Sequence, residues 1–393
     1  MKIAVLREYR PYEKRVAATP DTVKKMSRMG LSIDIEKGAG LNANITDSAF
    51  SDAGATVIEN LTELLADADI VLKVQRPVYG SNSSRDELSS MKSGGLLIGL
   101  LSPLSYPEDI SVYAEQGITA FALELLPRIT RAQAMDALSS QSNLAGYRAV
   151  IDAANEYNRA FPMMMTAAGT VRPAHVLVLG AGVAGLQAIA TARRLGAVVT
   201  AFDVRAAARE EAKSLGASVI EVEDDEVQSS QTAAGYAREM SDKYKEKQSA
   251  KINETLKSQD IVICTALIPG RPAPRLVSEQ MLSGMKRGSV IVDLAVTQGG
   301  NCAGSEEGKI VEKNGVKIIG HANFPARIAA DASELYARNI LNFLTPLIDI
   351  ESGKLAINPE DEIVRDTMLT HNGRIVHPTL KGKEQTLAAT KSA

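Results

Sequence analysis

The 393-residue sequence holds two cysteines and four histidines, and its formal net charge is −3. Each scarcity removes a class of function. Cys264 and Cys302 each lie in or beside an apolar run, so they read as small buried hydrophobes of a reducing compartment, with neither a disulfide framework nor a metal site. A charge so near zero leaves no electrostatic footprint for nucleic acid or for an anionic membrane surface. Long apolar runs are missing as well. The best candidate, Val176 to Ala192, is short for a span, contains Gly180, Gly182 and Gly185, and closes on Arg193-Arg194, so direct membrane insertion is not expected. The opening MKIAVLREYR has no basic flank, long apolar core or small-residue cleavage site, and the expectation is a chain that is not exported.

What is present is an ordinary globular composition, 45% apolar and 23% charged, in a chain long enough for two domains. From Lys2 to about Pro127, β-rich runs alternate with helical stretches: Ile3 to Leu6, a helix from Pro20 to Met29 closed by Gly30, then Ser32 to Glu36, Thr56 to Ile58, Ile70 to Val74, Leu96 to Leu101 and Ile118 to Leu123. A second series runs through His175 to Leu179, Ala197 to Phe202, Val219 to Val222, Ile261 to Leu267, Ser289 to Val296 and Val316 to His321. The pattern predicts an α/β protein of two Rossmann-like doubly wound parallel-sheet domains joined by long helices. Arg128 to Met165 is helical by composition, and Asp331 to Ile348 is predicted as a helix capped by Asp331 or Ser333. The expected domains are 1–137 plus 330–380, a discontinuous first domain, and 138–329, the nucleotide-binding domain. Residues 381–393 are expected to be a loose tail.

One stretch carries chemistry. The apolar run His175 to Leu179 passes at once into Gly180-x-Gly182-x-x-Gly185, whose glycines permit a tight turn, close backbone approach to a pyrophosphate, and close helix-to-strand packing. The helix that follows opens with amides facing an anion. It is stopped by Gly196, and the next strand ends on Asp203, where a carboxylate accepts from a ribose 2′-hydroxyl and repels the extra phosphate of NADP. The cofactor read from this βαβ unit is NAD(H). Between Val222 and Ile261 the connection is long and begins with small polar residues, and it reads either as a mobile loop over the cofactor edge or as a plain exposed insertion.

At Arg128 to Val150, RITRAQAMDALSSQSNLAGYRAV, the sequence resembles the NAD(H)-binding component of proton-translocating nicotinamide nucleotide transhydrogenases. Further blocks carry the likeness over nearly the whole chain: FPMMMTAAGTV at Phe161 to Val171, DVR at Asp203 to Arg205, AGYAREM at Ala234 to Met240, TALIPG at Thr265 to Gly270, VDLAVTQGGN at Val292 to Asn301, and GRIVHP at Gly373 to Pro378. The resemblance implies that Arg128, Gln133, Asp136 and Ser139 line the nicotinamide and its ribose. Gln133 would orient the ring, with Arg128 and Asp136 as a pair beside it. It further implies that Gly180, Gly182, Val183 and Gly185 cradle the dinucleotide and that Asp203, Val204 and Arg205 handle the adenosine ribose. Gly235, Tyr236 and Met240 would belong to a loop that closes on nucleotide, and Ala266 and Leu267 would pass near the cofactor. Partners implied are an NADP(H)-binding subunit and a membrane-spanning subunit, with a second copy of the chain as a homodimer. The implied location is cytoplasmic, peripheral on the inner face of the membrane through those partners. The chain is accordingly expected to be a separately encoded subunit, active only with them.

Alanine dehydrogenases are related in fold, and Arg15 in RVAATP and Lys73 in VLKVQRP match positions that hold substrate in that family. Where those enzymes place a catalytic histidine, this chain has Leu96-Leu-Ile-Gly-Leu-Leu-Ser-Pro103. The difference is chemical. Amine or alcohol oxidation needs a base for a proton, whereas hydride passage between two nicotinamides moves none at the reacting carbons. Of the remaining histidines, His175 precedes a strand, His371 and His377 lie near the C-terminus, and His321 alone ends a strand near a possible cleft. No metal site is expected, and no residue needs to act as acid, base or nucleophile. The rival expectations are a self-sufficient amino-acid dehydrogenase and a non-enzymatic NAD(H) sensor.

Overall fold

The structure is a computed structural model that describes residues 1–80, 85–222, 240–349 and 352–381. It divides into two compact units, Met1–Gln141 with Ala326–Ala393, and Ser142–Pro325.

The first unit is built on an eight-stranded sheet. Its order is Arg374–Ile375, Met368–His371, Thr119–Ala122, Leu96–Leu100, Ile70–Gln75, Lys2–Val5, Ser32–Glu36, Thr56–Ile58. The last six in that order are parallel, and the two C-terminal strands add antiparallel at one edge. Strands covered on both faces must be apolar almost throughout. Ile3 and Val5 accordingly enter one layer with Ile33, Ile35 and Ile70, while Ala4 and Leu6 enter the opposite layer with Val71 and Leu97. The helix Pro20–Arg28 starts where expected, with Thr19 in a capping box and Pro20 in the first turn, and Gly30 at φ 80° leads out of it.

The second unit carries a seven-stranded sheet, in the order Ser218–Val219, Val198–Phe202, His175–Leu179, Ile261–Cys264, Val290–Asp293, Val316–Gly320, Lys309–Lys313. All pairs are parallel except the last. Val176, Val178, Ile261 and Ile263 face one apolar layer, and Leu177, Leu179, Val262 and Cys264 the other. The doubly wound α/β class read from the sequence therefore holds in both units.

Several elements differ from the sequence reading, each for a physical reason. Strands expected to reach Val222, Leu267 and Val296 stop at Val219, Cys264 and Asp293, because the residues beyond leave the sheet to build its carboxyl-end loops. The stretch expected to be helical to Met165 is a 3-10 turn at Thr130–Met135, a helix at Ala137–Glu156, and then an exposed hairpin, Met164–Thr166 with Gly169–Val171. Methionine and alanine are good helix formers, but propensity is a weak determinant, and here Pro162 and Gly169, at φ 134°, override it. The helix Ala329–Leu344 starts ahead of its expected caps, with Ile328 at the N-cap position and no side-chain cap; Asp331 lies in its first turn instead, where a negative charge suits the helix dipole. Lys309–Lys313 is an edge strand whose mixed, largely exposed pattern gave no signal in the sequence.

Candidate functional site

In the second unit the strand, glycine turn, helix and strand run His175–Leu179, Gly180 to Gly182, Val183–Arg194 and Val198–Phe202. Each glycine has its own reason. Gly180 turns the chain at φ 97°, and an added Cβ would lie 2.8 Å from the Thr265 hydroxyl. A Cβ on Gly185 would lie 1.8 Å from the Gly180 carbonyl oxygen, so helix and turn touch there. Around Gly182 the space is open, the nearest atom being an Arg205 guanidinium nitrogen at 3.8 Å from the Cβ position. Gly182 is also the N-cap of the helix, with exposed Val183 next to it. The uncovered backbone and the first helical amides, which have no intrahelical acceptor, together form a surface suited to a pyrophosphate.

This turn is braced in ways the glycine spacing does not show. Thr265 donates its hydroxyl proton to the Gly180 carbonyl at 2.7 Å. Helix Ala137–Glu156 presses on the first turn of helix Val183–Arg194 through Gly146, where a Cβ would stand 2.0 Å from the Ala184 carbonyl oxygen. The fully buried Asn301 pairs with the backbone of Ala266 in both directions, accepting from its amide at 3.0 Å and donating to its carbonyl at 2.9 Å, and donates to Pro274 as well. Asp293 in turn accepts the amides of Asn301 and Cys302. Ala266 and the exposed Leu267 are thereby fixed at the carboxyl end of their strand. Asn301 and Asp293 belong to the VDLAVTQGGN block, so the sequence flagged them without revealing their job.

Asp203 directly follows the strand Val198–Phe202 and is buried. Its carboxylate accepts the amide of Ala181 at 2.8 Å, tying the strand end to the glycine turn, and it also receives the Arg205 backbone and guanidinium. Val204 lies half-buried between them.

The residues assigned to the nicotinamide lie in the first unit. Gln133 and Arg128 are exposed, and Gln133 sits on the 3-10 turn Thr130–Met135. That turn is pinned on both sides. Arg131 grips Asp361 with two bonds of 2.7 Å, while Asn339 and Asn342 both donate to the Ala134 carbonyl. Asp136 caps the next helix, accepting from the Ser139 amide at 2.8 Å and from the Ser139 hydroxyl at 2.5 Å. Asp136 and Ser139 thus meet each other.

Gly235 and Tyr236, the supposed closing loop from Gln228, and all of the expected tail but Lys381 lie outside the described residues. Met240 is buried in a layer with Tyr244 and Ile252. Both cysteines are free and buried; burial with Asp293 nearby pushes the Cys302 thiol up to about 12 and raises Cys264 too, so neither is a nucleophile at neutral pH. His321 packs edge-on against Phe324, with ring centroids 5.9 Å apart. Among the described residues no acidic, cysteine or histidine cluster suits a metal, and no helix is long and apolar enough to cross a membrane.

Arg15 and Lys73 are buried among charges of the same unit. Arg15 pairs with Glu13 through two bonds, at 2.8 and 2.7 Å, and donates to Gln141. Lys73 lies 3.0 Å from Glu87 and 3.4 Å from Glu8. Burial alone would raise Glu13, but Arg15 holds it at about 2. At Glu8 burial wins over Lys73 and pushes the carboxyl up to about 7. The folded chain therefore binds a proton at Glu8 that the unfolded chain has already lost. That contribution to stability is complete below the ordinary carboxylate range and vanishes as pH rises through about 7. Burial pushes Glu124 up to about 7 as well, so thermal unfolding should come a few degrees lower at about pH 8 than at about pH 5, and Glu8→Gln should reduce the difference without abolishing it. An unchanged pH slope in the variant would remove Glu8 as one of its sources.

Comparison with known proteins fits this geometry. The profile of the alanine dehydrogenase/PNT N-terminal domain matches residues 4–145, and that of the C-terminal domain matches 149–378. An NAD(P) transhydrogenase alpha-subunit chain of Rhodospirillum rubrum is 55% identical over 383 residues, 98% of this chain and 100% of that one. The crystal structure of transhydrogenase from Sinorhizobium meliloti superposes with a TM-score of 0.85 at 52% identity, covering 96% of this chain and 100% of that one. Alanine dehydrogenase of Halomonas elongata is 28% identical, over 96% of this chain and 95% of its own.

Proposed function

The chain belongs to the alanine dehydrogenase/PNT family, on its transhydrogenase side, and from that premise we propose that it binds NAD(H) and presents it for direct hydride transfer to NADP⁺ held by a partner subunit. The observation that carries this reading is the Asp203 carboxylate bonded to the Ala181 amide within the glycine turn, which ties the strand-end carboxylate and its Arg205 partner to the surface suited to a pyrophosphate. Gly182, Val183 and the first helical amides take the pyrophosphate. Gly180 and Gly185 shape the turn, and Asn301 sets Ala266 and Leu267 at its flank. Arg128, Gln133, Asp136 and Ser139 handle the nicotinamide and its ribose.

When bound, NADH supplies the hydride. The chain's task is to hold the donor ring at near-attack distance, roughly 3–3.5 Å from the acceptor carbon, and to keep it from other acceptors. Such transfer calls for no acid or base. The complete assembly couples the transfer to proton movement through a membrane subunit, and the chain works as a homodimer on the cytoplasmic side.

Stopped-flow transfer from NADH to an NADP⁺ analogue, with and without the NADP(H)-binding subunit, tests the proposal. Transfer should require both proteins, and NADH formation from L-alanine by the chain alone should be absent. Turnover of L-alanine, or no transfer with the partner present, would sink it.

A further inference from the structure

The carboxylate at the end of the second strand of the βαβ unit is not available as it stands. A carboxylate offers about four acceptor positions, and in Asp203 all four are taken. Oδ1 accepts the Arg205 amide and Nε, each at 2.9 Å; Oδ2 accepts the Ala181 amide at 2.8 Å and an Arg205 Nη at 2.7 Å. A ribose hydroxyl can enter only by displacing the guanidinium. A second cation stands at the same place: Arg209 donates to the carbonyls of Asp203 and Val204, at 3.4 and 3.2 Å. The helix Ala206–Ser214 that carries Arg209 begins directly after Arg205.

The local balance at the ribose end is thus one carboxylate against two guanidinium groups, which inverts the simple charge argument for NAD over NADP. We infer that Arg205, with Arg209, forms a latent site for the 2′-phosphate of an adenosine dinucleotide, and that the ion pair Asp203–Arg205, not the carboxylate alone, sets nucleotide choice. The inference rests on the reading that this turn binds NAD(H). Guanidinium groups bind phosphate through paired, charge-assisted bonds. While Asp203 holds Arg205 in a chelate, both side-chain donors of that chelate are committed to the carboxylate and a 2′-phosphate would also face the Asp203 charge. A neutral amide at 203 still accepts from Ala181 but removes the charge that ties the guanidinium and repels phosphate. A ribose hydroxyl, being neutral, needs only a local exchange of hydrogen bonds.

The test is a fluorescence titration of NADH and NADPH against the full chain as wild type, Asp203→Asn, Arg205→Ala and the double variant, with circular dichroism as a check on folding. Wild type should prefer NADH. Asp203→Asn should weaken NADH at least tenfold and tighten NADPH at least tenfold, and the gain for NADPH should disappear in the double variant and at high salt. Arg205→Ala alone, which leaves the carboxylate with no chelating guanidinium, should widen the preference for NADH about tenfold, and this arm decides the matter if the asparagine variant does not fold. A gain for NADPH that is equal with and without Arg205, or no widening in Arg205→Ala, would overturn the inference while leaving NADH binding intact. If wild type binds neither nucleotide, the nucleotide reading itself has failed.

Discussion

Gln133→Ala is expected to slow hydride transfer on the order of a hundredfold at saturating NADH, the loss that follows when a reacting group is misplaced by about an ångström. NADH affinity should fall far less. The pyrophosphate and adenosine ribose contacts proposed for the second unit are left intact by the change, and they supply most of the binding. The structure supports a positioning role because Gln133 stands exposed on a turn that Arg131–Asp361 and the Asn339 and Asn342 amides hold still. A side chain on so constrained a backbone loses little entropy in orienting a ring. The change should therefore appear in kcat and leave KM nearly untouched, the signature of an interaction used in the transition state. Single-turnover transfer with the partner subunit present checks it. A normal rate at saturation would reduce Gln133 to a binding contact.

Gly185→Ala should be the most damaging change at the glycine turn. The new methyl would lie 1.8 Å from the Gly180 carbonyl oxygen, a backbone atom that cannot swing aside, so turn and helix must separate. Overpacking of this kind costs about 1–3 kcal/mol in stability. The displaced helix also carries its amides away from the pyrophosphate. A loss of about 3 kcal/mol in binding corresponds to roughly a hundredfold in Kd. Gly182→Ala is the informative contrast, since its Cβ meets nothing nearer than 3.8 Å and its backbone is unstrained. It should melt like wild type yet bind NADH weakly, because the methyl occupies surface meant for ligand. Calorimetry and NADH titration of both variants separate fold from site. Equal effects of the two changes would mean that the glycines serve packing alone.

The fold class and the heart of the candidate nucleotide site are legible in the sequence without any coordinates. Strands buried on both faces have to be runs such as Ile3 to Leu6 and His175 to Leu179, and a turn of that shape accepts no residue but glycine at 180 and 185. Those are local requirements, so they are written locally. Long-range constraints are not. Gly146 and Asn301 fall in blocks the sequence singles out, but their jobs cannot be read there: the constraint on Gly146 comes from a helix that follows well beyond it, and the three bonds of Asn301 reach Ala266 and Pro274 across a loop. Nor can the job of Asn339 and Asn342 be read locally, since they steady the turn bearing Gln133 from far along the chain. Composition misled at Met163 to Met165, where apolar side chains project from a hairpin instead of burying along a helix, because propensity is a weak force against a proline and a glycine in the wrong places for a helix. Asp203 shows the division most clearly. Its position at a strand end can be read from spacing, but the commitment of its charge to Arg205 and Ala181 depends on side-chain directions, which are set only once the chain has packed in three dimensions.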